Sequence, residues 1–573
     1  MNTEIDVQRA CQAWLDDPLI DEETKAELRS VLHDRKEIED RFFKDLEFGT
    51  GGLRGIMGAG TNRMNRYTVG KATQGLADWL HAKSKDKGSG AKGPKVVIAY
   101  DSRRNSPEFA LEAACVLAAN DIQVYLFESL RPTPELSFAV RHLAADAGIV
   151  ITASHNPPEY NGYKVYGPDG GQLVPDLAKE LTRYVNAVTS LKQIRRIDAE
   201  EAEKSGLLER IGEEVDQAYL EAVKKASVHP EAAAERGDRF QVVYTPLHGA
   251  GNMPVRRILE MIGFQNVHVV KEQEQPDGAF PTVKSPNPEE KDALEMALEE
   301  AKRIGADIVI GTDPDCDRMG AIVRTASGSY EQLNGNQAGA VLLYYLLEEK
   351  KKAGTLPANG AVVKTIVTGE LGARIAEDYG LRVYNTLTGF KYIGEKMTEF
   401  ERTGTDTFVF GYEESYGYLA GNHCRDKDAV VASMLICEAA AWYKKQGKTL
   451  HDVLNDLYAR YGVHLESLHS RTMAGKEGME RIRRIMEWWR TSPPESVAGV
   501  KVSSMLDYAK GLDGLPKENV LKFFLEDGSW FCLRPSGTEP KIKIYFAVRQ
   551  PDMKRAKEAL KRLEEQVLER LEP

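Results

Sequence analysis

Residues 147–157 read Ala147-Gly148-Ile149-Val150-Ile151-Thr152-Ala153-Ser154-His155-Asn156-Pro157. The first five are short, apolar, β-branched and glycine-broken, the pattern of a strand buried inside a sheet. The strand runs straight into a hydroxyl, and Asn156-Pro157 stops it in a turn. Strand ends of open α/β sheets are where such folds bind ligands. Ser154 is therefore either a turn residue or a nucleophile. Alone, the turn reading is favoured, because Ser and Asn-Pro are common in loops. The same construction recurs twice downstream. Residues 307–310 (Asp-Ile-Val-Ile) precede Gly311-Thr312-Asp313, and residues 407–410 (Thr-Phe-Val-Phe) precede Gly411-Tyr412-Glu413. Either all α/β strands look alike, or three related domains each aim one strand-end loop at a shared cleft.

Around this stretch the pattern alternates. Residues 95–100 predict a strand ending at Asp101-Ser102-Arg103, 108–119 a helix, and 121–127 a strand. The alternation implies a mixed or parallel sheet covered by helices. It restarts at 240–244 and 361–363, and in a different form at 522–524. Residues 4–45 read as charged amphipathic helices, an N-terminal appendage. Residues 198–226 read as a helix-rich connector, 232–238 as a charged stretch, and 445–448 as a polar break between two helices. A last helix, 553–571, carries dense Glu/Lys pairing, the mark of a solvated face.

The 573-residue length suggests about four domains of ~150 residues. A hydrophobic fraction of 42% permits sizeable cores, and a net charge of -11 argues against a nucleic-acid surface. An anionic small substrate remains compatible, since a local basic cluster can hold one phosphate. Six scattered cysteines without C-x-x-C spacing read as reduced thiols. With no signal-peptide pattern and no apolar run of membrane-spanning length, the expected location is cytoplasmic and no membrane partner is expected. The oligomeric state, monomer or dimer, is open.

The chemistry concentrates in further loops. In Asp313-Pro314-Asp315-Cys316-Asp317-Arg318, alternate positions of an extended segment would point three carboxylates the same way. Converging negative charges call for a hard divalent cation, and oxygen-only ligation suits Mg²⁺ better than Zn²⁺. An EF-hand is excluded, because Arg318 stands where Gly is needed and Arg324 where Glu is needed. A phosphoserine at Ser154 would supply one further oxygen ligand. The loop 411–417 (Gly-Tyr-Glu-Glu-Ser-Tyr-Gly) suits sugar hydroxyls, or is a polar turn. In 423–428, Lys427 either transfers a proton or pairs with its neighbouring aspartates. The loop 534–543 (Arg-Pro-Ser-Gly-Thr-Glu-Pro-Lys-Ile-Lys) can wrap a phosphate, or is an ordinary Pro/Gly turn. No Walker A motif occurs.

The loops 152–157 (Thr-Ala-Ser-His-Asn-Pro), 313–318, 411–417 and 534–540, in this order with domain-sized gaps, resemble the α-D-phosphohexomutases. The resemblance runs from about Phe48 to the C-terminus and includes the opening 48–55 (Phe-Gly-Thr-Gly-Gly-Leu-Arg-Gly). The N-terminal helices resemble the phosphoglucomutase branch, which includes bacterial enzymes and phosphopentomutase. The resemblance implies four domains around a central cleft: three similar mixed-sheet α/β domains and a smaller C-terminal α+β domain of TATA-box-protein-like fold. The boundaries expected are 1–45 for the helical appendage, 46–226 for the phosphoserine domain, 227–335 for metal binding, 336–462 for sugar binding and 463–573 for phosphate binding.

The resemblance also implies roles. Ser154 is the expected phosphoryl carrier and, phosphorylated, a metal ligand beside Asp313, Asp315 and Asp317. Arg54, Lys164, Arg318 and Lys427 are expected near the reacting group, and His155 is placed with this catalytic set. Ser-His acyl chemistry is not expected, since no G-x-S-x-G elbow is present. Thr388, Gly389, Glu413 and Ser415 are expected sugar contacts. Arg534, Ser536, Gly537 and Thr538 are the expected clamp for the distal phosphate. The family's sugar loop usually has a small residue where Tyr412 stands and often Gly or Phe where Tyr416 stands, so bulk at these positions is expected to bear on sugar preference. The implied reaction converts glucose 1-phosphate to glucose 6-phosphate through glucose 1,6-bisphosphate, which also acts as activator, with Mg²⁺. Mannose or pentose phosphates are alternative substrates. A serine-dependent sugar phosphatase and an inert sugar-phosphate-binding protein are the rivals from other classes.

Overall fold

The computed structural model describes residues 3–49, 51–85, 93–232, 240–473, 475–512, 514–536 and 540–572. The chain divides into two compact units. The first comprises Met1–Ile322 with Gly394–Arg402 and Gly417–Trp442, and the second Val323–Ile393 with Thr403–Tyr416 and Tyr443–Pro573.

The first unit opens with three helices, Thr3–Asp16, Glu22–Val31 and Arg35–Phe42. Asp21 and Asp34 cap the second and third by accepting backbone N–H bonds. Val7, Cys11, Leu28, Ile38 and Phe42 pack with Ala59 into a small core of their own. The helical appendage expected over 4–45 is therefore present.

A six-stranded sheet follows: β1 (Gly52–Ile56), β2 (Lys95–Tyr100), β3 (Gln123–Phe127), β4 (Ala147–Ile151), β5 (Tyr160–Tyr166) and β6 (Leu208–Ile211), in the order β1-β5-β4-β2-β3-β6. Strands β4, β2, β3 and β6 are parallel; β5 pairs antiparallel with β4, and β1 pairs antiparallel with β5. All five residues of β4 are buried, which explains the unbroken apolar run. Gly148 interrupts it because a Cβ there would lie 2.6 Å from the Val140 side chain. The second sheet holds β7 (Gln241–Thr245), β8 (Asn266–Val269), β9 (Ile308–Thr312) and β10 (Met319–Arg324), ordered β10-β9-β7-β8. Both β8 and β9 run parallel to β7. The Asp313 loop thus leaves the end of one parallel strand, and the Ser154 loop the end of another.

After β11 (Tyr330–Leu333), the second unit contains β12 (Gly360–Thr365), β13 (Arg382–Thr386) and β14 (Thr407–Glu413), parallel in the order β13-β12-β14. Strand β15 (Gly417–Ala420) belongs to the first unit. The C-terminal sheet comprises β16 (Val463–Thr472), β17 (Ser496–Val497), β18 (Val500–Asp507), β19 (Leu521–Leu525), β20 (Trp530–Pro535) and β21 (Lys541–Gln550). Its order is β16-β21-β20-β19-β18-β17, with every neighbouring pair antiparallel. Helices Gly475–Thr491 and Met553–Glu569 accompany it. Ile366, Val367, Leu387 and Tyr392 share a core with Trp530, Cys532 and Tyr545, so this sheet packs against the β12 region. The expected fold class holds: α/β sheets first, an α+β sheet last. Among the described residues no helix is long and apolar enough to cross a membrane.

Two expectations change, and one falls where the structure is silent. Residues 198–226 are not simply a helical connector. Leu208–Ile211 (Leu-Glu-Arg-Ile) becomes β6, pairing parallel with β3. The loop at 411–417 is shorter than read, because Gly411–Glu413 ends β14. The stretch 232–238 lies outside the described residues except for Ala232.

Candidate active site

Ser154 sits in a turn, buried, with φ of 52°. Only glycine adopts this left-handed region freely, so something must hold a serine there. The Arg103 guanidinium does. It is fully buried, and it donates to the carbonyls of Ser154 at 2.6 Å, Pro157 at 2.8 Å and Tyr160 at 3.0 Å, and to that of Asn156. Its Nε lies 3.3 Å from Asp101 and its plane 5.0 Å from the Phe280 ring. Asp101 also accepts from the Thr152 hydroxyl at 2.6 Å, and Thr152 Oγ1 accepts the Ser154 N–H at 2.7 Å.

The Ser154 hydroxyl donates to Asp313 Oδ2 at 2.9 Å. Nδ1 of His155 lies 3.1 Å from the same Oγ. Two acceptors thus compete for one proton. Loss of hydration and the positive charges of Arg318 and Arg54 hold the His155 ring well below its ordinary pKa, so it is neutral.

Asp313, Asp315 and Asp317 are buried, and one carboxylate oxygen from each falls within 4.8 Å of the others. The convergence expected from the sequence is real, but its cause differs. The segment is a turn, not an extended run, and Cys316 with φ of 52° reverses the chain between Asp315 and Asp317. Cys316 itself is fully buried. Burial, then the charges of Asp317 and Asp315, push the Asp313 carboxyl well above its ordinary value. Burial works the same way on Asp315 and is the largest single influence there, but Lys164, a hydrogen bond with Asp313 and the charge of Lys427 together outweigh it and leave that carboxyl below its ordinary value. Asp315 Oδ1 and Asp317 Oδ1 are buried with no hydrogen-bond partner. Two orphaned oxygens in an all-carboxylate set fit a hard cation such as Mg²⁺.

Cations line this trio. Lys164 Nζ is 3.0 Å from Asp315 and 3.9 Å from Asp317. Lys427 Nζ is 3.0 Å from Asp317 and 3.2 Å from Asp426, so it pairs with its neighbour and reaches the trio as well. Arg318 is paired with Glu289, and its Nε is 3.9 Å from Asp317. Arg54 reaches Asn156 Oδ1 at 3.5 Å from the rim of the Ser154 turn. The second His/Cys/Asp group, His423, Cys424 and Asp428, is committed to packing. Asp428 accepts from Tyr219, from His423 and from the N–H groups of Val430 and Val431.

In the second unit, Gly389 (φ 114°) donates its N–H to Glu413 Oε1 at 2.9 Å. The Thr388 hydroxyl is buried without a hydrogen-bond partner. Ser415 follows in the turn after β14. Tyr412 does not face outward as its expected effect on sugar preference required. Its ring is fully buried against Gly339 and Gly372. Tyr416 is buried too, with φ of 65°. Arg534 Nε donates to Glu518 at 3.1 Å, and Ser536 N–H to the Lys541 carbonyl at 2.7 Å. Gly537 and Thr538 lie outside the described residues.

Glu466 in β16 gives a pH test of this unit. Burial pushes its carboxyl up to about 7, Glu370 adds to the rise, and Asn336 and Lys364 offset part of it. A folded-state value above the unfolded one means stability is greatest below about pH 4.5 and falls until about pH 7. Glu466→Gln is therefore expected to leave the melting temperature unchanged near pH 4.5 and to raise it at pH 8, by on the order of 2 kcal/mol of unit stability. Differential scanning calorimetry at the two values checks this.

Sequence reading passed over four residues that build the site: Asp101, Arg103, Thr133 and Glu289. Thr133 donates its hydroxyl to Asp315 Oδ2 and its N–H to the Asp315 carbonyl, both at 2.9 Å. The signal available was Asp101-Ser102-Arg103, which closes its strand just as Thr152-Ala153-Ser154 closes the next.

Comparison with known proteins covers most of the chain. Four profiles described as phosphoglucomutase/phosphomannomutase match in order: alpha/beta/alpha domain I over residues 45–192, domain II over 217–328, domain III over 334–461 and the C-terminal domain over 490–569. A phosphoglucomutase of Staphylococcus haemolyticus is 38% identical over 521 residues, 89% of this chain and 91% of its own. That of Staphylococcus aureus is 37% identical over 558 residues, 95% and 97% of the two chains. Among solved structures, the parafusin phosphoglucomutase of Paramecium in its open form aligns with a TM-score of 0.69 at 19% identity, covering 92% of this chain and 94% of that one. A phosphoglucomutase/phosphomannomutase family protein of Burkholderia thailandensis aligns with a TM-score of 0.66 at 18% identity, covering 91% and 96%. At these identities the two structures speak for the fold.

Proposed function

This chain belongs to the phosphoglucomutase/phosphomannomutase family, and from that premise we propose how its residues divide the work. The protein is an isomerase, a phosphohexomutase with phosphoglucomutase activity, interconverting glucose 1-phosphate and glucose 6-phosphate. We assign the phosphoryl carrier to Ser154. The observation that carries this is its Oγ, buried and 2.9 Å from Asp313 in a carboxylate trio with two unpartnered oxygens.

In the first half-reaction the P–Oγ bond of phosphorylated Ser154 breaks as a P–O6 bond to glucose 1-phosphate forms, and the O6 proton passes to a basic group. The product is glucose 1,6-bisphosphate, which turns over within the protein. In the second half the P–O1 bond breaks as P–Oγ re-forms, and glucose 6-phosphate leaves with its own 1-hydroxyl restored. The Ser154 hydroxyl gives up its proton in that step, and Asp313 and His155 Nδ1 are the acceptors within reach. Glucose 1,6-bisphosphate added from outside would phosphorylate an empty Ser154, hence its role as activator.

Phosphoryl transfer depends on in-line placement and neutralisation of charge. Bound Mg²⁺ would neutralise charge on the reacting phosphoryl group, with Asp313, Asp315 and Asp317 as its ligands. Lys164, Lys427, Arg318 and Arg54 present cations around the same carbonyl-clamped serine. Glu413, Ser415, Thr388 and Gly389 are assigned to sugar hydroxyls, which a carboxylate and hydroxyls suit as acceptors and donors. The loop from Arg534 through Ser536, Gly537 and Thr538 is assigned to the phosphate that is not reacting. We assign the domains to 46–226, 227–335, 336–462 and 463–573. Six free thiols, all buried, suit a reducing cytoplasm.

The test is a coupled assay on glucose 1-phosphate with Mg²⁺ and a trace of the bisphosphate. Parallel arms use mannose 1-phosphate, ribose 1-phosphate and a measurement of released inorganic phosphate. Fastest turnover on a sugar other than glucose, or phosphate release keeping pace with isomer formation, would overturn the reading. Arg534→Ala is expected to raise KM for both sugar phosphates about 10- to 100-fold, the cost of losing a charge-assisted bidentate contact. Intact-mass measurement should find Ser154 phosphorylated to the native extent in that variant.

A further inference from the structure

Strand β5 carries Lys164 and, two residues on, Tyr166. Alternate residues of a strand share a face. Tyr163 and Val165, on the opposite face, belong to the apolar core of the first sheet. Lys164 reaches Asp315 directly at 3.0 Å. Tyr166 is fully buried, and its hydroxyl donates to Asp426 Oδ2 at 2.7 Å. The other oxygen, Asp426 Oδ1, accepts from the Lys427 backbone N–H at 2.8 Å and from Lys427 Nζ at 3.2 Å. Lys427 Nζ continues to Asp317 at 3.0 Å. The hydrocarbon stem of Lys427 passes over Gly417, where a Cβ would lie 2.2 Å from it. The ammonium therefore has few positions open to it.

We propose that Tyr166 and Asp426 are positioning residues that set the Lys427 ammonium beside the Asp313–Asp317 trio, so that one face of β5 places both lysines. The inference rests on the functional reading above and deepens it by assigning what aims Lys427. A carboxylate with two donors on one oxygen and one on the other has a defined orientation, and the tyrosine supplies the third anchor. Burial and the nearby Asp426 raise the phenol well above its ordinary pKa, so it is always the donor. Without it Asp426 can rotate, and the ammonium it holds moves relative to Asp317. An ångström at a transferring phosphoryl group changes rate, not ground-state affinity.

Tyr219 provides the control. Its hydroxyl donates to Asp428 at 3.0 Å, two residues from Asp426, in an equally buried setting. Asp428 caps the following helix through Val430 and Val431, not Lys427. The two tyrosines thus brace the same segment, but only one is bonded to the lysine's partner.

The experiment measures kcat, KM, Ser154 phosphorylation by intact mass, and melting temperature for the native chain, Tyr166→Phe, Tyr219→Phe, Lys427→Met and the double variant Tyr166→Phe/Lys427→Met. Expected for Tyr166→Phe is a fall in kcat of about tenfold with KM within about twofold of native. Tyr219→Phe should lower the melting temperature while kcat stays native. In the Lys427→Met background, Tyr166→Phe should cause no further loss, because the group it aims is gone. Native kcat in Tyr166→Phe, an equal loss in both tyrosine variants, or multiplicative losses in the double variant would each overturn the proposal. Tyr166→Phe removes one oxygen from a filled site. Should that variant fold poorly, the same cycle with Asp426→Asn decides. Native turnover is read in the same assay. Its absence would defeat the functional reading itself, whereas native turnover with an unaffected Tyr166→Phe defeats only this inference.

Discussion

Ser154→Ala is expected to lower interconversion of glucose 1-phosphate and glucose 6-phosphate by at least about 10⁴-fold, since the proposed phosphoryl carrier is its hydroxyl. The phosphate adduct in the intact mass should vanish in the same variant. The fold should not, and the structure says why. Arg103 holds the turn through the carbonyls of residues 154, 156, 157 and 160, none of which the substitution touches. Alanine at φ of 52° bears roughly the same left-handed cost as serine, about 1–2 kcal/mol for either. What disappears is a hydrogen bond from a hydroxyl to an already crowded carboxylate. A melting temperature within a few degrees of native, alongside dead turnover, is the expected pair of results. Substantial residual turnover in Ser154→Ala would remove the serine from the chemistry altogether.

Asp313→Asn is expected to act in opposite directions on stability and activity. Burial and two neighbouring carboxylates push Asp313 well above its ordinary value, so its charge costs the metal-free protein stability at neutral pH. Replacing it by an amide removes that repulsion. The amide oxygen can keep the N–H bonds that Asp317 and Arg318 now give Asp313 Oδ1. Without metal, the variant should therefore melt at or above the native temperature. With Mg²⁺ the order should reverse. A native protein saturated a hundredfold above Kd gains about 2.7 kcal/mol, and a variant missing a charged ligand gains little. Turnover should fall by about 10²–10³-fold. Calorimetry with and without chelator, and titration calorimetry of Mg²⁺, check both halves. A variant less stable without metal, yet with native Mg²⁺ affinity, would show that the trio is packing.

Much of this was legible from the chain because local signals and tertiary roles coincided. Ala147–Ile151 read as a central strand and is one, since burial on both faces leaves an uninterrupted apolar signature. The three aspartates converge, but not by strand alternation. The reversal at Cys316 depends on a left-handed residue that is not glycine, and no residue type announces that. Leu208–Ile211 was hidden because four residues between helices, two charged ones flanked by two apolar ones, show no period-two pattern that would separate them from a helical turn. Tyr412 misled because its neighbours are site residues, while the pleat turns its ring into the core against two glycines. Arg103 and Thr133 were invisible as site builders. Their importance lies in which carbonyls and carboxylates they meet, and those partners are 51 and 182 residues away.

The left-handed backbone at residue 154 also restricts which alcohol can serve. Serine and threonine offer the same nucleophilic oxygen, and phosphothreonine would bring the same charge. A branched Cβ at φ of 52° presses its second substituent against its own main chain. With four carbonyls fastened to one guanidinium, the backbone cannot relax to make room. The identity of the proposed carrier side chain is thereby decided before any sugar arrives, by a torsion angle rather than by reactivity.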